Sequence, residues 1–154
     1  MTGSDAYDDR TGVLNTSLKL MRLGFDGEGA VDSSPLLAGQ SLSGIIELAR
    51  DHLILWPVCQ GLIKATRGLP EEQDIAFFAG HLTAGIEAQA LRTRDQFVEL
   101  SRALAAKGIE PLYLKGAAFI AEAGLRPQPW RPMCDLDFLI DVSEVERAVA
   151  IAKT

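Results

Sequence analysis

The sequence predicts an α+β protein that is mostly helical, with a helical region first and then a run of helix, strand, helix, strand and helix. Three observations predict it. Apolar residues recur at helical spacing from Leu42 to Leu104. The period changes after Gly108, where Pro111-Leu112-Tyr113-Leu114-Lys115 forms a short apolar run. A second strand-like run, Asp135 to Asp141, opens on two carboxylates spaced by two residues.

At 154 residues the chain is long enough for one ordinary domain with a core. A hydrophobic content of 47% with only 7 prolines excludes a wholly disordered chain. The net charge of −6 argues against a broad basic surface for duplex nucleic acid. It leaves room for a nucleotide or small polar substrate whose charge a metal balances. Cys59 and Cys134 lie far apart, with no Cys-x-x-Cys and no histidine cluster, so neither a structural zinc site nor a disulfide framework is indicated. A reducing, cytoplasmic setting is expected. The first ten residues are acidic and lack an apolar segment, which does not fit a signal peptide. The most apolar window, Ile45 to Ile63, is interrupted by Glu47, Arg50, Asp51, His52, Pro57 and Gln60, too often to span a membrane.

Three regions follow from composition. Residues 1–38 are rich in Gly, Ser and Asp and read as a poorly ordered leader with one short helix over Leu18–Leu23. Residues 39–107 read as helical. Leu42, Ile45, Ile46, Leu48, Ala49, Leu53 and Trp56 form a first run that Pro57 ends or kinks, and Val58 to Thr66 form a second, closed by Gly68. Pro70-Glu71-Glu72 suits a first helical turn, and a long helix over roughly 71–107 follows, with a break expected near Gly85 and a C-cap at Gly108.

Residues 108–154 carry the strands. Pro111–Lys115 is the first, Gly116 turns the chain into a helix over Ala117–Ala123, and a loop with Pro127, Pro129 and Pro132 leads to the strand Asp135–Asp141. Ser143 and Glu146 have the spacing of a capping box that opens a last helix, with Ser143 as N-cap. A two-stranded sheet is marginal by itself, so the chain is expected to be the N-terminal part of a longer protein.

Side chains at i and i+2 of a strand share a face, so Asp135 and Asp137 are expected to converge. Like charges that close call for a cation, a hydrogen-bond cage or a raised pKa. Magnesium takes one or two carboxylates together with substrate phosphates, and a pair of metals activates an attacking hydroxyl while stabilising a leaving pyrophosphate. Gly116 lets backbone approach a ligand, with a helix N-terminus behind it that favours phosphate. Lys115 and Arg131 are nearby cations suited to the negative charge.

The run Leu114-Lys115-Gly116, then Arg131-Pro132-Met133-Cys134-Asp135-Leu136-Asp137-Phe138-Leu139-Ile140, resembles the bacterial nucleotidyltransferase-like family of the DNA polymerase beta-type superfamily. The resemblance is specific over about residues 108–154 and looser over 41–107. It implies the first α-β-α-β-α part of a nucleotidyltransferase fold and nucleotidyl transfer from a nucleoside triphosphate to an unidentified acceptor hydroxyl. It also implies Asp135 and Asp137 as magnesium ligands in a two-metal site, with Gly116 in the nucleotide turn. The sequence departs from the superfamily in two ways. The usual Gly-Ser is here Gly116-Ala117, for which Lys115 is a substitute. The third carboxylate belongs to a later strand, beyond Thr154, so the site within these residues is expected to be incomplete.

Other readings remain open at the level of sequence. Asp135-Leu136-Asp137 also suits a solvated strand start paired with Arg131, and Lys115 and Arg131 also suit exposed structural cations. His52, His81, Trp56 and Cys134 suit packing or surface roles, and Trp130 suits either packing or stacking on a base. A non-catalytic nucleotide-binding or protein-interaction module of the same fold is the alternative function, and an all-helical scaffold with a C-terminal hairpin is a third.

Overall fold

In the computed structural model of the chain, the structure describes residues 3–25, 37, 39–133 and 135–153. The expectation for Cys134 lies outside them. The elements are α1 (Gly3–Phe25), α2 (Leu42–Asp51), α3 (Leu55–Ala65), α4 (Glu72–Ala105), β1 (Leu112–Tyr113), α5 (Lys115–Glu122), β2 (Phe138–Leu139), a 3-10 turn (Val142–Glu144) and α6 (Val145–Ala152). The mostly helical α+β class therefore holds. The chain divides into two compact units, Met1–Ile86 and Glu87–Thr154, with the division inside α4 rather than at residue 107.

In the first unit the short helix expected over Leu18–Leu23 is the last part of a 23-residue helix. It is no loose leader, because Val13, Leu20 and Leu23 are buried in a core with Ile45, Ala49, Val58, Leu62 and Ala65. Burying each large aliphatic side chain is worth about 2 kcal/mol. The helices α1 and α3 meet almost backbone to backbone. A Cβ on Gly61 would overlap the Leu20 carbonyl, and one on Gly24 would overlap the Pro57 carbonyl. Lys64 of α3 donates to the Leu23 and Gly24 carbonyls at 2.9 and 3.3 Å, satisfying the end of α1.

The run from Leu42 breaks earlier than its apolar spacing suggests. Ser41 caps α2 by accepting from the Gly44 N–H at 3.2 Å, but α2 ends at Asp51, and Leu53 takes a left-handed φ of 57°. Pro57 then lies in the first turn of α3, where its missing N–H leaves no helical bond unmade, so it opens a helix rather than ending one. Cys59 is buried on α3, and burial pushes its thiol up to about 11, which makes it an inert packing residue. His52 and His81 are both exposed.

The long helix α4 runs without a break through Gly80 and Gly85. It ends at Ala105, and Gly108 (φ 72°) lets the Ile109 N–H turn back to the Leu104 carbonyl at 3.0 Å. In the second unit, β1 and β2 pair antiparallel with Leu112 opposite Leu139 and Tyr113 opposite Phe138. Tyr113 and Phe138 turn inward while Leu112 and Leu139 face outward. Two small cores lie beneath: Phe97, Ala117 and Ile120, and then Leu104, Ile109 and Ala148.

Both strands are shorter than their apolar runs. The chain leaves β1 at Leu114, and Lys115 with φ 46° is already the first residue of α5, so Gly116 is the second residue of a helix and not the turn. The capping box also fails to form. Asp141 is the N-cap of the 3-10 turn and accepts from the Ser143 N–H at 2.8 Å and its hydroxyl at 2.5 Å. Two hydrogen bonds to the charged form hold the Asp141 carboxyl below its ordinary 3.8. The last helix closes at Ala152.

Candidate functional site

The site begins with the anchoring of β1. The Tyr113 ring lies 4.6 Å from that of Phe97, centroid to centroid, and its hydroxyl donates to Ser101 Oγ at 2.6 Å. Ser101 Oγ in turn donates to the Phe97 carbonyl at 2.6 Å. These contacts fix β1 on α4, and with it the residues that follow. The Leu114 N–H donates to the Asp137 carbonyl at 2.9 Å, extending the ladder by one bond and bringing Lys115 beside Asp137.

Lys115 Nζ lies 3.0 Å from Asp137 Oδ2. The hydrogen bond and charge of Asp137, with a smaller contribution from Asp135, raise the Lys115 pKa above its ordinary 10.5. The ammonium is therefore charged throughout the neutral range, and both carboxylates act on it. The Lys115 side chain is 72% exposed and that of Asp137 31%. An exposed pair adds little to stability. Asp135 is exposed and precedes the paired part of the strand.

Arg131 does not join the carboxylates directly. Its guanidinium stacks 4.2 Å from the centre of the Phe119 ring, and Phe119 is 42% exposed. Phe119 lies four residues after Lys115, on the same helical face. A guanidinium over a ring face can still donate through its N–H groups to a phosphate oxygen. Trp130 beside it is 43% exposed. Gly116 lies inside α5 and in packing contact, not at the turn its position suggested. The Met133 side chain lies against it, and a Cβ there would overlap Met133 Sδ.

Asp135 also lines an open groove of about 530 Å³, with Gln89, Gln96 and Glu99 from α4 on one side and Leu136 and Ile151 among the apolar surfaces. The structure thus brings Asp135, Asp137 and Lys115 together, sets Arg131 on Phe119, and covers Gly116 with Met133. Among the described residues no group of three or more His, Cys, Asp and Glu side chains gathers in one place. None of the described helices is long and apolar enough to cross a membrane.

Sequence reasoning missed Phe119, Met133 and the α4 side of the groove. Phe119 had a signal, its spacing of four from Lys115. Gln89, Gln96 and Glu99 had none, since polar residues on a long helix read as a solvated face.

The sequence model of a family described as an uncharacterised nucleotidyltransferase matches residues 40–154, spanning both the helical stretch and the carboxylates that precede β2. No curated protein and no solved structure matches the chain.

Proposed function

The chain belongs to this uncharacterised nucleotidyltransferase family, and on that premise we propose that its second unit binds a nucleoside triphosphate with magnesium and transfers the nucleotidyl group to an acceptor hydroxyl. The observation that carries the reading is the gathering of Asp135, Asp137 and Lys115 at the junction of β1, β2 and α5. Two hard carboxylates suit magnesium, which completes its shell with phosphate oxygens and water. Only Oδ2 of Asp137 is engaged among the described residues, so its other oxygen suits a metal. When bound, the metal would polarise the reacting phosphate and balance the charge of the departing pyrophosphate.

The chain's own residues supply the rest. Lys115, beside Asp137, offers an ammonium to the triphosphate, and Arg131, over the Phe119 ring, offers a two-pronged donor edge. The acceptor oxygen attacks the α-phosphorus. A P–O bond forms as the bond from that phosphorus to the bridging oxygen breaks, pyrophosphate departs, and the hydroxyl proton passes to water. Placing the acceptor and triphosphate in line is the main contribution such a site makes.

The test is calorimetric titration of ATP into the full chain with magnesium and with a chelator. Binding is expected with magnesium and not with chelator, and Asp135→Asn with Asp137→Asn is expected to abolish the difference. Unchanged binding by the double variant sinks the metal assignment.

One observation favours a second reading, a nucleotide-binding module without turnover. Ala117 stands where the superfamily has a hydroxyl, and Met133 covers Gly116. Magnesium-dependent ATP binding with no pyrophosphate released across a panel of hydroxyl acceptors would favour the module.

A further inference from the structure

The two carboxylates have different surroundings. Asp137 is held by Lys115, with Arg131 further along the same face of α5. Asp135 lines the groove, where the other charged group is Glu99, and no Lys or Arg is among the lining residues. Arg92 donates to Gln89 Oε1 at 2.8 Å without lining the groove itself, which leaves the Gln89 amide N–H groups as donors. The polar groups Gln89, Gln96 and Glu99 recur along α4, while Leu100, Leu136 and Ile151 provide apolar surface.

From this asymmetry we infer that the groove beside Asp135 is the acceptor subsite, and that it takes a small polyhydroxylated molecule that is neutral or cationic. The inference rests on the proposed transfer reaction for the word acceptor, but the binding it describes is independent of metal and nucleotide. The lining excludes an anion by charge. Glu99 and Asp135 repel a phosphate or carboxylate, and the nearest cations, Lys115 and Arg92, stand outside the lining and are engaged by Asp137 and Gln89. The size of about 530 Å³ falls within the range of small-molecule sites. Amide and carboxylate groups set around apolar surface match a ring that offers hydroxyls at its edge and C–H groups on its face. An acceptor seated there would have Asp135 at its reacting end, with the triphosphate cations on the Asp137 side.

Three probes of one size test the charge rule: glucosamine, glucose and glucose 6-phosphate, each titrated into the full chain without metal or nucleotide. The readout is the side-chain amide resonances of Gln89 and Gln96, assigned by Gln89→Ala and Gln96→Ala. Saturable shifts are expected with glucosamine, weaker binding with glucose, and binding at least about tenfold weaker with glucose 6-phosphate. Glu99→Gln is expected to narrow the preference for glucosamine over glucose. Equal or tighter binding of glucose 6-phosphate overturns the inference, and so does the absence of shifts at both glutamines with all three probes. The Asp137→Asn variant separates the two proposals, because Asp137 does not line the groove: loss of its ATP binding tests the metal site and leaves the glucose titration to test the groove.

Discussion

In the unit comprising residues 1–86, α1 and α3 approach so closely that glycine is required on both sides, and Leu20, Ile45, Val58 and Leu62 are fully buried. In the unit comprising residues 87–154, the core is divided between two small clusters, and Leu112, Leu139 and Val142 are 63%, 56% and 86% exposed. Only the second gathers opposed charges around a short sheet, at Asp135, Asp137 and Lys115. The contrast separates two uses of sequence. The first unit is specified by residue volume, which tolerates little change, and the second by the placement of a few polar groups on a minimal frame. Substitutions that alter volume should therefore act most strongly in the first, and substitutions that alter charge should act on binding in the second.

Gly61→Ala puts the largest strain on this contrast. The added methyl would overlap the Leu20 backbone carbonyl, which cannot rotate away as a side chain can. The helices must separate, at an expected cost of about 3 kcal/mol. Hydrogen exchange is expected to show the loss of protection at amides of α1 and α3, with magnesium-dependent ATP binding retained. Loss of protection spread equally over β1, β2 and α5 would break the contrast, because volume in one unit would then govern order in the other.

Lys115→Met sharpens the same contrast from the side of charge. It keeps the aliphatic stem and removes the ammonium 3.0 Å from Asp137 Oδ2. Without nucleotide, manganese affinity followed by electron spin resonance is expected to rise, by at most about fivefold, because an exposed ammonium no longer competes for the carboxylate. ATP affinity is expected to fall by about tenfold, since a charged donor to phosphate is lost. A fall in both affinities would make Lys115 a support for Asp137 rather than a competitor. A change in neither would return it to an ordinary surface cation.

The nearness of Lys115 to Asp137 and the order of elements from Gly108 onward were legible in the sequence because local rules decide them, whereas the seat of Arg131 on Phe119 was not. Alternation of period, the spacing of two in Asp135-Leu136-Asp137 and the apolar runs are all short-range signals. What was not legible depends on contacts between distant residues. The burial of α1 follows from Gly24 meeting Pro57 and Gly61 meeting Leu20, about forty residues apart, and nothing in a Gly- and Ser-rich N-terminal stretch announces that fit. Pro57 was ambiguous because proline both ends helices and begins them, and only the left-handed Leu53 upstream decides which. Gly116 was read as necessary for a turn, whereas the fold sets it inside α5 against the Met133 side chain. The groove was invisible for the same reason: Asp135 and Glu99 are 36 positions apart and only the fold sets both on one surface.

The smallest expected effect concerns Asp141, where a single hydroxyl sets a local charge. The Ser143 hydroxyl and N–H both favour the ionised carboxyl, which lies below its ordinary 3.8 as a result. A carboxylate whose folded pKa is depressed contributes stability that is fully present above its unfolded value and is lost as the pH falls through the folded value. The affected window therefore lies below 3.8, in acid and well away from neutral pH. Ser143→Ala removes the side-chain bond and leaves the backbone one, so the Asp141 carboxyl, followed by carbon-13 NMR, should titrate at a higher pH than in the parent, still at or below 3.8. An unmoved titration would mean that the backbone N–H alone sets the charge. Because Asp141 begins the 3-10 turn that leads into α6, any fraying in acid should appear first at Val142–Glu144 and leave the amides of α1 and α3 protected. Acid loss of protection that began instead in α1 would overturn the idea that charge placement acts locally in the second unit.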